Sequence, residues 1–171
     1  MKTNIALIGM AGAGKSSVGS ELASLLGLAF VDVDILIEED QGLPLQEVLK
    51  ASGLQGFRVL EEKILLSLNR QNHVIATGGS AIYSDAGMKH LKKTAYLVLL
   101  DVALPVLEQR VGDFAERGLV KEGSQSFAQL FAERQPLYRN HADLIVPCTD
   151  RSVADVCRFI QDWWQQGHCT P

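Results

Sequence analysis

No apolar run in this 171-residue sequence is long enough to cross a bilayer. Only about five apolar residues precede the first glycine cluster, too few for a signal peptide, so a cytoplasmic protein is expected. Cysteine is scarce. Cys148, Cys157 and Cys169 are odd in number and share no C-x-x-C spacing, which argues against a disulfide framework or a zinc site. Cys157 falls in helical register with Val153, Val156 and Ile160 and reads as core. Aromatic residues make up 6% of the chain, and the formal net charge of −4 leaves no broad basic field for nucleic acid or an anionic membrane. His73, His90, His141 and His168 form no spaced pair, so no metal or base role is assigned to them. Internal repeats, low-complexity runs and a guanine-reading Asn-Lys-x-Asp run are also missing. The remaining composition, 47% hydrophobic and 21% charged, suits one globular domain over residues 1–171.

What is present is a glycine loop. Gly9-Met10-Ala11-Gly12-Ala13-Gly14-Lys15-Ser16 fits G-x-x-x-x-G-K-[ST], the phosphate-binding loop. Glycines let the backbone curl so that successive N–H groups can face phosphate oxygens. Lys15 adds a point charge for the outer phosphates, and the Ser16 hydroxyl is a hard oxygen ligand suited to Mg²⁺. A short aliphatic run leads in, and Val18, Leu22, Leu25 and Leu26 mark one face of a following helix, whose N-terminus favours the same anion.

Five short apolar runs read as buried parallel strands: 4–9, 29–34, 73–77, 94–100 and 143–147. Helical patterns lie between them, at 43–50 and 54–69 with Gly53 as punctuation, and at 85–92, 104–110, 127–138 and 152–164. Strands alternating with helices predict an α/β fold with a parallel sheet. Residues 111–124 fit neither periodicity and carry Gly112, Gly118 and Gly123, so they read as a mobile lid or a surface insertion.

Ligands of open α/β sheets bind at the carboxyl ends of the strands, and polar residues end these strands. In Asp32-Val33-Asp34 a strand would put both carboxylates on one side, one for Mg²⁺ and one for a substrate hydroxyl; a helix N-cap for Ile35 onward is the other reading. Arg58 and Glu61 are i,i+3 neighbours, so Glu61 could lock the guanidinium for a grip on a carboxylate, or the two form an ordinary exposed pair. Thr77-Gly78-Gly79-Ser80 allows close backbone approach to a ligand, or is a plain glycine turn. Arg110, Arg117, Arg134 and Arg139 crowd the lid and its flanking helix.

Together with Glu133-Arg134-Gln135-Pro136-Leu137-Tyr138, these motifs fall in one order along roughly residues 4–160, and the chain resembles the shikimate kinase family. The resemblance implies a three-layer α/β/α P-loop fold of the nucleoside monophosphate kinase kind, with a five-stranded parallel sheet, a substrate-binding helical region about 34–61 and a lid about 111–124. It also implies transfer of the ATP γ-phosphoryl group to the 3-hydroxyl of shikimate in aromatic amino-acid biosynthesis, by a monomer. By motif, Gly12, Ala13, Gly14, Lys15, Ser16 and Ser17 would hold the phosphates, with Arg110 near adenine. Ser16 and Asp32 would serve Mg²⁺, and Asp34, Arg58, Gly78, Gly79, Ser80 and Arg134 would bind shikimate. Catalysis would fall to Asp34, Lys15 and Arg117. The rivals are a relative acting on another hydroxylated carboxylic acid and a non-catalytic nucleotide-binding homologue.

Two departures stand out. Ser80 occupies the place of the family's third glycine, and Gly118 follows Arg117 where the family has proline. If position 80 needs a positive φ, Ser80 is strained; otherwise its hydroxyl narrows the pocket or adds a hydrogen bond. Gly118 would make lid closure cost more entropy.

Overall fold

The first strand, β1 (Asn4–Ile8), is buried at all five positions, as a central strand covered on both faces must be. In the computed structural model, which describes residues 2–112 and 125–167, it pairs in parallel with two neighbours. One is β3 (His73–Ala76), which also pairs with β2 (Ala29–Asp32); the other is β4 (Ala95–Asp101), which pairs with β5 (Leu144–Pro147). The sheet order is β2-β3-β1-β4-β5, all parallel. Around it lie α1 (Lys15–Leu26), α2 (Val33–Gln41), α3 (Leu45–Ser67), α4 (Asp85–Thr94), α5 (Leu104–Val111), α6 (Phe127–His141) and α7 (Val153–Gln165). The helix α1 packs on α7, and α3 packs on α4. A five-stranded parallel sheet flanked by helices is the architecture expected.

Polar anchors fix the edges of the apolar core. Asn4 is buried, but its amide donates to the Arg70 carbonyl and accepts from the His73 N–H, so the start of β1 is tied to the turn entering β3. At the other end, Thr77 N–H and Oγ both donate to the Leu7 carbonyl, at 3.2 and 2.9 Å. That double bond extends the ladder past β3 and fixes the chain just before Gly78. Cys157 is core as expected, and Trp163 and Trp164 of α7 both meet the Tyr96 ring edge-on, at 5.3 and 5.9 Å.

The sequence reading needs correction between β2 and β3. The strand expected over 29–34 stops at Asp32, whose carboxylate accepts from the Asp34 N–H at 3.0 Å and caps α2. A helix N-cap is what forms, but at Asp32 and for a helix that begins at Val33 rather than Ile35, so Asp34 belongs to the first turn of a helix rather than to a strand end. The helix α2 buries only Val33 and Ile37. The two helices expected at 43–50 and 54–69 run as one element with a break at Gly53 (φ 66°, ψ 178°). Of the expected lid, 111–112 form the end of α5 and its cap, and 113–124 lie outside the described residues.

Candidate active site

The glycine loop leaves β1 and turns into α1 at Gly14, whose φ of 91° is the left-handed conformation only glycine adopts without strain. Lys15 begins the helix, and its ammonium folds back to donate to the Gly9 and Met10 carbonyls at 2.8 and 2.9 Å. Burial lowers its pKa to about 8, against the opposing pull of Asp34 and Asp32. Ser16 Oγ donates to Asp32 Oδ2 at 2.6 Å, while Oδ1 of the same carboxylate holds the α2 cap. The α2 cap thus sets Asp32 beside Ser16 and turns Asp34 inward.

One cavity of about 320 Å³ joins this loop to the residues across from it. At one end it is lined by Gly12, Gly14, Lys15, Ser16 and Ser17, and at the other by Asp34, Phe57, Gly78, Gly79, Ser80 and Arg134. Burial, and then the neighbouring Asp32, lift the Asp34 carboxyl to about 6 despite the attraction of Lys15.

The far end is a buried polar network. Arg134 on α6 is only 1% exposed and donates through Nε to the Tyr83 hydroxyl at 3.3 Å. Tyr138, one turn later, donates to the Gly79 carbonyl at 2.6 Å. Glu61 is 2% exposed, and burial lifts its carboxyl to about 7 even though the Ser80 hydroxyl, 2.6 Å from Oε2, pulls it down. Its Oε1 is buried without a hydrogen-bond partner among the described residues. At Gly78 the requirement is space. An added Cβ would stand 2.2 Å from Glu61 Oε1 and 2.9 Å from Asp34 Oδ1.

Ser80 carries no strain, since its φ of −87° and ψ of −9° are right-handed helical values open to any residue. Of the alternatives open in the sequence, the added hydrogen bond is the one realised, and it goes to Glu61. The expected lock of Glu61 on Arg58 gives way accordingly. Glu61 is held by Ser80, and the Arg58 guanidinium lies over the Tyr83 ring, 4.2 Å from its centroid. Arg58 lines an adjoining cavity with Tyr83 and Glu62 rather than the main one; Ser80 borders both.

Arg110 donates to the Gly12 carbonyl at 3.4 Å and lines a third cavity of about 240 Å³ with Ala13, Ser17, Cys148 and Arg151, on the loop's other side. Arg139 pairs with Asp101, away from these cavities. Arg117 lies outside the described residues. Sequence reasoning missed Phe57 as a wall residue, Tyr138 as the group that holds the Gly79 carbonyl, and Tyr83 altogether; each approaches the site from an element distant in sequence, so no local pattern announces it.

Known proteins match nearly the whole length of the chain. The family model described as shikimate kinase matches residues 11–165. A shikimate kinase of Histophilus somni is 36% identical over 165 residues, covering 94% of each chain. That of Caldanaerobacter subterraneus subsp. tengcongensis is 32% identical over 160 residues, covering 92% of this chain and 93% of its own. Among solved structures, shikimate kinase from Acinetobacter baumannii in complex with shikimate superposes with a TM-score of 0.90 at 31% identity, over 99% of this chain and 97% of that one. The Aquifex aeolicus shikimate kinase superposes with a TM-score of 0.84 at 31% identity, over 96% and 98%. The chain belongs to the shikimate kinase family.

Proposed function

We infer that the chain transfers the γ-phosphoryl group of ATP to the 3-hydroxyl of shikimate, and that the two ends of the single cavity hold the two substrates. The observation that carries this reading is the continuity of that cavity, from the glycine loop to Asp34 and the buried Arg134. ATP is the family's phosphoryl donor. The loop from Gly12 to Ser17 and the N-terminus of α1 bind its phosphates, and Arg110 borders the space for adenine. Lys15 exchanges its carbonyl partners for the outer phosphates, whose charge restores its own affinity for a proton.

Ser16 and Asp32 present two hard oxygens 2.6 Å apart beside the loop, a donor set that suits Mg²⁺. They would hold that ion, which supplies neutralisation of phosphate charge when bound. Opposite them, Arg134 lines this cavity and Arg58 the adjoining one that shares Ser80, and both are assigned to the shikimate carboxylate; Asp34, and from the adjoining cavity Glu61 Oε1, which has no hydrogen-bond partner among the described residues, accept from its hydroxyls.

A carboxyl with a pKa of about 6 is ionised at neutral pH yet still basic enough to take a proton, which fits Asp34 as the group that receives it from the attacking hydroxyl. A bond forms between that oxygen and the γ-phosphorus, the bond from phosphorus to the bridging oxygen breaks, and its electron pair leaves with ADP. The work of the protein is alignment and charge stabilisation. Arg117 is assigned to the transferring phosphate from the family resemblance alone. In a coupled ADP-release assay with Mg²⁺ and ATP, turnover should depend on shikimate and stay at background with an uncharged sugar. Absence of shikimate-dependent turnover overturns the reading.

A further inference from the structure

Tyr83 closes a short 3₁₀ turn, Ala81–Tyr83, held by Tyr83 N–H to the Ser80 carbonyl at 3.0 Å. Two guanidiniums converge on its ring: Arg58 Cζ lies 4.2 Å from the centroid and Arg134 Cζ 5.2 Å. The hydroxyl accepts from Arg134 Nε at 3.3 Å and donates to Glu133, whose carboxylate also accepts from Gln125 at 2.7 Å. Those bonds keep Glu133 ionised below the usual carboxyl range, and its charge also faces Arg134 and Arg58. Arg58 comes from α3 and Arg134 from α6, and Tyr83 touches both.

We propose that Tyr83 is the positioning residue of the acceptor end: its ring and hydroxyl gather Arg58 and Arg134 into one carboxylate-binding fork before substrate arrives. The inference rests on the reading that these two arginines meet the shikimate carboxylate. Two like charges this close repel, and each contact that fixes a long side chain narrows its rotamers. The π-face of one ring attracts both, and the Glu133 carboxylate on its hydroxyl balances part of their charge. Rotamer freedom is thus given up on folding rather than on binding, the form of preorganisation that lowers the substrate concentration needed.

The test is shikimate titration by calorimetry together with steady-state kinetics on the full chain, for Tyr83→Phe, Tyr83→Ala, Arg58→Ala and the double variant Tyr83→Ala/Arg58→Ala. Tyr83→Ala should raise the shikimate KM on the order of tenfold, the scale of losing two cation–π contacts, with the ATP KM unchanged within about twofold. Tyr83→Phe keeps the ring and folds in the same space, so it should recover most of that loss. In the double variant the Tyr83→Ala effect should shrink well below its value alone, because Tyr83 acts through Arg58. Unaltered shikimate binding by Arg58→Ala overturns both the arginine reading and this inference. Weakened binding by Arg58→Ala alongside unaltered binding by Tyr83→Ala overturns the Tyr83 inference alone. An equal rise in both KM values for Tyr83→Ala, or full additivity in the double variant, also overturns it.

Discussion

The two ends of the cavity are built by opposite means. The proposed phosphate end is backbone: eight consecutive residues from Gly9 to Ser16, running from the end of β1 into the first turn of α1, shaped by left-handed glycines and tied by Lys15 to its own loop carbonyls. The proposed acceptor end is mostly side chain: Asp34 from α2, Phe57 from α3, Gly78 to Ser80 after β3 and Arg134 from α6 line it, with Glu61, Tyr83 and Tyr138 behind them. A contiguous loop can be set by local conformation, and it serves any nucleotide triphosphate. Recognition of one small acceptor needs charges and hydrogen bonds arriving from several directions, so it draws on elements far apart in sequence. If that division is real, substitutions should damage one substrate's handling and spare the other's.

The largest effect should come from Asp34→Asn. The amide keeps the shape and the α2 cap but cannot take the hydroxyl proton, so turnover should fall by about 10³-fold, within the range of lost general-base catalysis. The ATP Kd should stay within about threefold, as no loop contact is removed. Calorimetry and the coupled assay measure the two quantities separately. Loss of ATP binding in step with turnover would break the comparison at its centre.

Two glycines sharpen it from each side. Gly78→Ala places a methyl where Glu61 Oε1 and Asp34 Oδ1 already stand, so both carboxylates must move. The shikimate KM should rise by on the order of 10- to 100-fold, with little change for ATP. Gly14→Ala meets nothing within 4 Å, so its whole effect is conformational, the cost of a left-handed φ at a non-glycine residue. That strain, about 1–2 kcal/mol, should raise the ATP KM by roughly tenfold or lower the melting temperature by several degrees, and leave shikimate binding intact. Crossed effects from either variant would mean that the ends are mechanically coupled.

The same division decides what could be read from sequence. The loop, the flanking strand and helix, and the five apolar runs were legible because local conformation and apolar strand composition write directly into short patterns, although the edge strands β2 and β5 are partly exposed rather than buried as expected. The helix α2 was not, since a nine-residue helix burying only Val33 and Ile37 leaves too thin a stripe, and Asp32 suits a strand end as well as a cap. Arg58 and Glu61 show the limit more sharply. Their spacing predicted a mutual pair, but each has a tertiary partner, Tyr83 for the arginine and Ser80 for the carboxylate. Arg134 and Tyr83 are 51 residues apart and Tyr138 and Gly79 are 59 apart, distances at which no periodicity carries information.

Ser80 gives the smallest and most diagnostic effect. Its hydroxyl favours the charged form of Glu61, so Ser80→Ala should push that carboxyl further above about 7. At any given pH a smaller fraction of Glu61 is then ionised. The acid limb of the kcat/KM profile for shikimate should move up by a few tenths of a pH unit, a loss of about two- to threefold near pH 6.5 that fades above about pH 8.5. Stability should follow with a definite sign. A carboxyl raised from 4.5 to about 7 holds its proton more tightly in the folded chain, so stability declines as pH rises between those values. Without the serine hydroxyl that decline should run further upward in pH, leaving the variant's melting temperature near the parent's at about pH 5 and about one to two degrees below it at about pH 8. Asp34, Lys15 and Arg134 face the same carboxylate and stay in place, so the difference between the two curves isolates one hydroxyl. A pH-independent loss would mean that Ser80 only fills space. A shifted limb would make the residue standing in place of the third glycine part of the acceptor end's charge balance.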